Sequence, residues 1–338
     1  MKPTNLSIYI SNYLSKYLPG IAGLSTNTIL SYRDMFRLLL NFYESELSIS
    51  PEKIQISSLN QDNILNFLKW LENKRNNSIS TRNIRLASIH SFCRYLMKKE
   101  PSIMVQMKQI LDIPYKKTKN GTIEYIDQDT MGFLLNLPDT RSKAGLRDAT
   151  LLSLLYDTGC RVQELCDLRP IDIRLNIPGT VKITGKGDKI RIIPILPSMS
   201  KLLKDYMESY SLNKDNLNFE PLFQNRMGGK LTRKGVSYII DKYVKIAKET
   251  YKDYFPDKFT PHCFRHSKSM HLLQAGVNLI YIRDLLGHVD IKTTEIYARI
   301  DGEMKRKALE KGMNLVPSDD LPIWQENKSL LEWLNSLG

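Results

Sequence analysis

The chain is 338 residues long, more than one ordinary hydrophobic core accommodates and enough for two domains. Its 42% hydrophobic and 25% charged residues are the proportions of a globular chain, not a disordered one. No apolar run approaches the ~18 residues that a membrane span requires, and a formal charge of +13 points to a polyanionic partner.

That charge is uneven. Residues 1–120 carry 17 basic and 8 acidic side chains (+9), residues 121–314 carry 31 and 24 (+7), and residues 315–338 carry one Lys against four acids (−3). The polyanion therefore belongs on the body of the chain and not on its tail. The first residues, MKPTNLSIYISNYL, lack the apolar core of a secretory signal, so a cytoplasmic location is expected. Cys93, Cys160, Cys166 and Cys263 form no paired framework and read as reduced, structural thiols.

Taken in order, residues 5–18 have helical spacing and are expected to stop at Pro19-Gly20. Ser25 or Thr26 caps a longer helix with Ile29, Tyr32, Phe36, Leu39 and Phe42/Tyr43 on one face. A third helix starts at Asn60. A fourth, SISTRNIRLASIHSFCRYLMKKE, is predicted to turn Ile84, Ile89, Phe92 and Leu96 inward. The starts of the second and fourth helices expose polar groups suited to phosphate or base edges: Thr26, Asn27 and Arg33, then Thr81, Arg82, Asn83 and Arg85. Solvated helix faces look the same, so these are candidates only.

Residues 114–122 break the pattern and read as a basic linker whose Lys116, Lys117 and Lys119 are suited to lie along a phosphate backbone. Beyond it come a capped helix after Asp127, a buried helix from Asp148 to Tyr156, a Thr158-Gly159 break, and a short helix holding Arg161 and Glu164. The clear β signal is Thr180–Thr184 and Ile190–Ile195 around the turn Gly185-Lys186-Gly187-Asp188, a hairpin. Helices follow at 199–210, 233–251 and across 259–300. The fold class is mainly α with a small antiparallel sheet.

Four of the five histidines fall between His262 and His288. The spacing of His262 and His266 suits zinc, but Cys263 stands where a zinc protease has Glu, and no CxxC completes a finger. GKGD is not a P-loop, since Gly187 replaces the Ser or Thr that must follow its Lys. Neither a metal nor a nucleotide cofactor is expected. Phosphate chemistry fits better. Arg161 and Arg265 are two planar forks able to hold one phosphodiester; His262 and His288 are donors or acid/base groups. Lys186 is a cation at a hairpin tip, and Tyr297 an oxygen nucleophile that needs a base or a positive field, because a phenol titrates near ~10.

The strings TGCRVQELCDL, ITGKGDKIRIIPI, TPHCFRHSKSMHLLQAGVNLIYIRDLLGH and TTEIYAR resemble the tyrosine recombinases of the phage-integrase family, and the layout resembles their simple, Xer-like or transposon-encoded members. The family's ordered Arg, hairpin Lys, His-x-x-Arg, His and Tyr fall on Arg161, Lys186, His262, Arg265, His288 and Tyr297, with Glu164 at a supporting acidic position. The resemblance covers about residues 4–312 and is firmest over 140–300. It leaves His266 a structural role. Lys268 stands where the family has an aromatic, which makes it an additional candidate for phosphate. Lys182 and Lys189 rival Lys186, and Tyr254 and Tyr281 rival Tyr297.

The resemblance implies a SAM-like, core-binding helical bundle (1–113), the linker (114–122), a catalytic domain of the DNA breaking–rejoining fold (123–314) and a tail helix (315–338). That tail docks either on its own domain or on a neighbouring protomer. It implies site-specific recombination of double-stranded DNA through a 3′-phosphotyrosyl link and a Holliday junction, in a homotetramer or a heterotetramer with a paralogue, without metal, ATP or membrane. Such an enzyme serves a mobile element or resolves replicon dimers. Helix signals that begin by residue 5 leave no room for an additional N-terminal arm-binding domain. The alternatives are a type IB topoisomerase-like relaxing enzyme and a non-catalytic DNA-binding regulator.

Overall fold

The computed structural model describes residues 4–118, 124–185, 187–212, 220–287, 294, 295 and 297. The chain divides into two compact units, Met1–Gly121 and Thr122–Gly338.

The first unit is a helical bundle. Helix α1 (Asn5–Asn12) is capped by Thr4, whose hydroxyl accepts from the Ser7 amide. It does not stop at Pro19. The coil widens into a π-helical stretch over Tyr13–Ile21 that takes in Pro19. A wider turn leaves more room for the pyrrolidine ring, and proline has no N–H to leave unpaired. Burial holds the stretch in place: Tyr13 packs its ring 5.1 Å from Phe92 and 5.0 Å from Tyr95 and hydrogen-bonds Ser91 at 2.8 Å.

Helix α2 (Thr26–Leu47) starts after Ser25, α3 (Gln61–Asn73) after Asn60, and α4 (Ile79–Lys99) after Ser78; α5 (Met104–Leu111) closes the bundle. The Asn60 and Ser78 side chains accept from amides three residues on, as N-caps do. On α4 the buried positions include Arg82, Leu86, Ile89, Cys93 and Leu96, whereas Ile84, expected inward, is 54% exposed. Two residues from Arg82 and five from Ile89, Ile84 lies off the stripe that the 3.6-residue period defines. The core gathers Phe36, Phe42, Phe67, Leu86, Phe92 and Ile110.

In the second unit, α6 (Gln128–Asn136) is capped by Asp127 and α7 (Lys143–Thr158) by Ser142. Gly159, in the left-handed region at φ 54°, ends α7 and lets the chain turn into α8 (Val162–Asp167). The sheet has three antiparallel strands in the order β1 (Ile173–Arg174), β2 (Thr180–Thr184), β3 (Ile190–Pro194), paired Val181 to Ile193 and Ile183 to Arg191. Strand β1 is too short to show a period and was not anticipated. Helices α9 (Pro197–Ser209), α10 (Arg233–Thr250), α11 (Pro261–Gln274) and α12 (Leu279–Leu286) complete the unit. Leu151, Leu155, Ile183, Leu203, Phe223, Ile240 and Phe264 lie in its core. Buried Asp148 accepts from Arg147 and from the Tyr243 hydroxyl, so its charge is met. All four cysteines are free and buried. No helix among the described residues is long and apolar enough to cross a membrane.

Phe92 touches Tyr13, Phe36 and Tyr95, so Phe92→Ala is expected to cost about 3–5 kcal/mol. Denaturant unfolding of the purified protein measures this, and a loss under 1 kcal/mol would mean that the cluster is not the keystone of the first unit.

Candidate active site

The site is assembled around one carboxylate. Glu164 lies one turn into α8 and is 6% exposed. Its Oε1 accepts from Arg161 Nη1 at 2.9 Å, and its Oε2 from the Arg161 backbone amide at 2.9 Å and from Arg191 Nη2 at 2.6 Å. Burial alone would raise its pKa, but the hydrogen bonds and charges of Arg191 and Arg161 outweigh it and hold the carboxyl below the usual range. Arg191 comes from β3, and its Nε donates to the Leu285 carbonyl at the end of α12. The sheet, α8 and α12 thus meet at Glu164. A side chain at Gly185 would stand 3.2 Å from Glu164 Oε1, so the hairpin needs a small residue there.

Arg265, on α11, is 4% exposed and among the described residues is ion-paired to no acid; its Nη1 and Nη2 donate to the carbonyls of Gly159 and Leu286, both at 2.7 Å. Burial, and then the charge of Arg161, lower its pKa to about 10, which still leaves it cationic at neutral pH. Its guanidinium is fixed by carbonyl dipoles that leave its charge unneutralised.

His262 stands one turn before Arg265 and is open to solvent on its outer edge. The mass packed behind its ring, and then the Arg265 and Arg161 charges, hold its imidazole below the ordinary range. His266, one turn further along α11, is half-buried and is pushed down to about 4 by burial, with His262 and Arg265 adding to the effect. Both rings are neutral at pH 7.

Tyr297 is 2% exposed and packs with Met270, Leu273, Ile282 and Leu286. Its hydroxyl lies 2.9 Å from His266 Nδ1. Burial raises its pKa, with Ser269 and the Arg265 charge acting in the opposite direction.

The structure therefore brings Arg161, Glu164, His262, Arg265 and Tyr297 into one electrostatic neighbourhood, while Lys186 and His288 lie outside the described residues. Of the rivals, Lys182 is paired with Asp172 at 3.2 Å, and Tyr254 and Tyr281 are exposed where Tyr297 is buried. Lys268 is 3.7 Å from Asp157 and over the Tyr156 ring, an internal partner in place of a phosphate.

The sequence-predicted contacts of the first unit divide. Thr26, Asn27, Arg33 and Lys117 are exposed, and Lys119 lies outside the described residues. Thr81 is engaged with the helix cap at Ser78. Arg82 is buried beside Glu72 and donates to the Pro114 carbonyl, and Asn83 clasps the backbone of Lys116 through both atoms of its amide. Arg85 donates to the Ser31 carbonyl, and Lys116 pairs with Glu72 at 2.6 Å. Arg82, Asn83 and Lys116 fasten the bundle to the chain that leaves it, and Arg85 ties α4 to α2.

Two residues were missed or set aside at the level of sequence. Arg191 shares the inward side of β3 with Ile193, a side that strand period alone does not assign to a charged residue. His266 had been left a structural role, yet it is the ring on the Tyr297 hydroxyl.

The model of the phage integrase family matches residues 124–304, and that of the phage integrase N-terminal SAM-like domain matches residues 10–100. The chain belongs to the phage integrase family. As a tyrosine recombinase it is 31% identical over 336 residues to the putative integrase/recombinase y4rC of Sinorhizobium fredii, covering 99% of both chains. It is 34% identical over 287 residues to the tyrosine recombinase XerD of Listeria monocytogenes, covering 82% of this chain and 89% of that one. The recombinase shares its fold with the Tn1549 transposon integrase bound to transposon right-end DNA (TM-score 0.69, 17% identity, 89% and 98% of the chains). It shares it also with XerH bound to a palindromic difH substrate (TM-score 0.66, 21% identity, 84% and 79%).

Glu164→Gln removes the carboxylate that three N–H groups address, and a stability loss of about 3–5 kcal/mol is expected by denaturant unfolding. A change under 1 kcal/mol would show that the arginines do not depend on it. Acid is a second probe. His90, His262, His266 and His271 are all held below the ordinary value in the fold, foremost by burial. The unfolded chain therefore binds more protons once the pH falls below about 6.5, and stability drops from there towards about 4, where His266 titrates. Thermal melts should show a lower Tm at pH 5 than at pH 7; an unchanged Tm would contradict the buried, neutral imidazoles.

Proposed function

We propose that the recombinase cleaves and rejoins DNA with Tyr297 as nucleophile. In this reading Arg161 and Arg265 bracket the scissile phosphodiester and offset the charge that grows on its oxygens. His262 and His288 donate to the same oxygens, Lys186 protonates the 5′-oxygen as it leaves, and Glu164 holds Arg161 in place. Cleavage leaves a 3′-phosphotyrosyl ester, which a 5′-hydroxyl of the partner strand then attacks. Two rounds pass through a Holliday junction on a tetramer of this chain, or of this chain and a paralogue. The ester conserves the bond energy, so no step calls on a nucleotide. The observation that carries the reading is the cationic pocket of Arg161, Arg191 and Arg265, which holds one carboxylate and lies beside a tyrosine hydroxyl.

The domain roles follow. Residues 1–113 grip the core of the site, 114–122 pass along the backbone, 123–314 perform the chemistry, and 315–338 dock on their own catalytic domain or on that of a neighbouring protomer. Similarity to a putative integrase/recombinase over 99% of the chain and to a tyrosine recombinase XerC over 94% of it is compatible with service to a mobile element and with replicon dimer resolution alike. The setting is the cytoplasm.

The test uses the tightest-binding duplex that the full-length protein selects from a random library, nicked as a suicide substrate. The wild type should form a covalent protein–DNA adduct and Tyr297→Phe none, with DNA affinity retained. An adduct with the Phe variant would refute the nucleophile. Relaxation of plasmids that lack the selected sequence would point instead to a topoisomerase-like enzyme.

A further inference from the structure

We propose that His266 positions the nucleophile: its Nδ1 accepts the hydrogen bond of the Tyr297 hydroxyl, aims the phenol, and receives its proton as the bond to phosphorus forms. The inference rests on Tyr297 being the nucleophile, and it adds to the ordered set a residue that set does not contain.

The geometry is specific. The 2.9 Å contact joins Nδ1 to the phenolic oxygen, with ring centroids 5.7 Å apart. At that distance the tyrosine O–H has an acceptor in the Nε2-protonated tautomer. By contrast, His262, the histidine of the ordered set, is solvent-open and shows no hydrogen bond to the phenol, its ring centroid lying 6.3 Å from that of His266. Among the described residues, His266 is thus the imidazole in contact with the reacting atom. The groups that face it are His262 and Arg265 on its own helix and Tyr297 across from it.

The step balances. The Tyr297 O–H bond breaks and its proton goes to Nδ1 while the oxygen bonds to phosphorus. The bond from phosphorus to the 5′-oxygen breaks, and that oxygen takes a proton from the acid on the opposite side. In the free protein the proton stays on the phenol, because Arg265 and burial both oppose a charged His266. A phosphodiester among Arg161, Arg265 and His262 brings a negative charge that opposes that field, so the ring gains basicity when substrate is present. On ligation the proton returns to the phenol.

Single-turnover adduct formation on the same suicide duplex separates this from a packing role. His266→Asn keeps an acceptor near the Nδ1 position, while His266→Phe and His266→Gln do not. Asn, which keeps the aim but cannot take the proton, should slow adduct formation about 10²-fold, in the range of general base catalysis, and Phe and Gln, which lose both, at least about tenfold more. DNA affinity should change less than about threefold throughout. If His266→Phe fails to fold, the comparison of Gln with Asn decides. A duplex with a bridging 5′-phosphorothiolate, whose leaving group needs no proton, should leave the Phe or Gln variant slow, because the defect is on the nucleophile's side. The proposal is overturned if Phe, Gln or Asn cleaves within about threefold of wild type, if Asn is as slow as Gln, or if the phosphorothiolate restores the rate. Those failures are distinct from an adduct with Tyr297→Phe, which would remove the nucleophile itself.

Discussion

One buried carboxylate sets the terms for the catalytic unit. Guanidinium groups repel one another and are costly to desolvate, so Arg161 and Arg191 share a pocket because Glu164 accepts from both. Arg265, whose charge is felt by Arg161, is held differently, by two carbonyl oxygens at the ends of α7 and α12. Among the described residues, Arg161, Arg191 and Arg265 set three cations against the Glu164 carboxylate in this pocket. A phosphodiester is an anion of the right size and shape to reduce that excess, so substrate binding and the electrostatics of the fold are one problem. The glycines follow from the same crowding: Gly159 turns the chain so that its carbonyl faces Arg265, and Gly185 leaves space beside Glu164.

Much of this was legible in the residues. Asp127, Ser78 and Asn60 announce their helices because a capping side chain acts locally, within three residues. The hairpin was readable because strand alternation and a Gly-rich turn are also local. The ordered Arg, Glu, His, Arg and Tyr were legible through residue type together with the resemblance to the family, and the fold brings them into one neighbourhood. What was not legible depends on the third dimension. The π-helical stretch through Pro19 rests on the burial of Tyr13 among rings from α4, which no local rule contains. His266 looked like filler because its role comes from 31 residues further along the chain. Arg191 went unnoticed because a charged residue in a strand is ordinarily turned to solvent, and only a carboxylate waiting beneath it justifies the inward side.

The first unit shows the opposite bias, in which sequence suggested more than the fold leaves free. Arg82, Asn83, Arg85 and Lys116 have the composition of a phosphate-binding strip, yet each has a partner inside the bundle. Glu72 alone draws in two of them. The start of α4 is therefore a joint between helices and the departing chain.

This has a consequence for ions in solution. Each phosphate that a protein neutralises releases condensed counterions, and the slope of log affinity against log salt is about −0.9 per contact on duplex DNA. Residues 1–120 hold 17 basic side chains, but those already matched to an internal carboxylate or carbonyl displace few counterions. Any salt sensitivity that the first unit contributes is therefore bounded by the cations left outside such pairs, the exposed Lys117 among them. Its hold on DNA is thus more tolerant of cellular ionic strength than a count of lysines and arginines suggests.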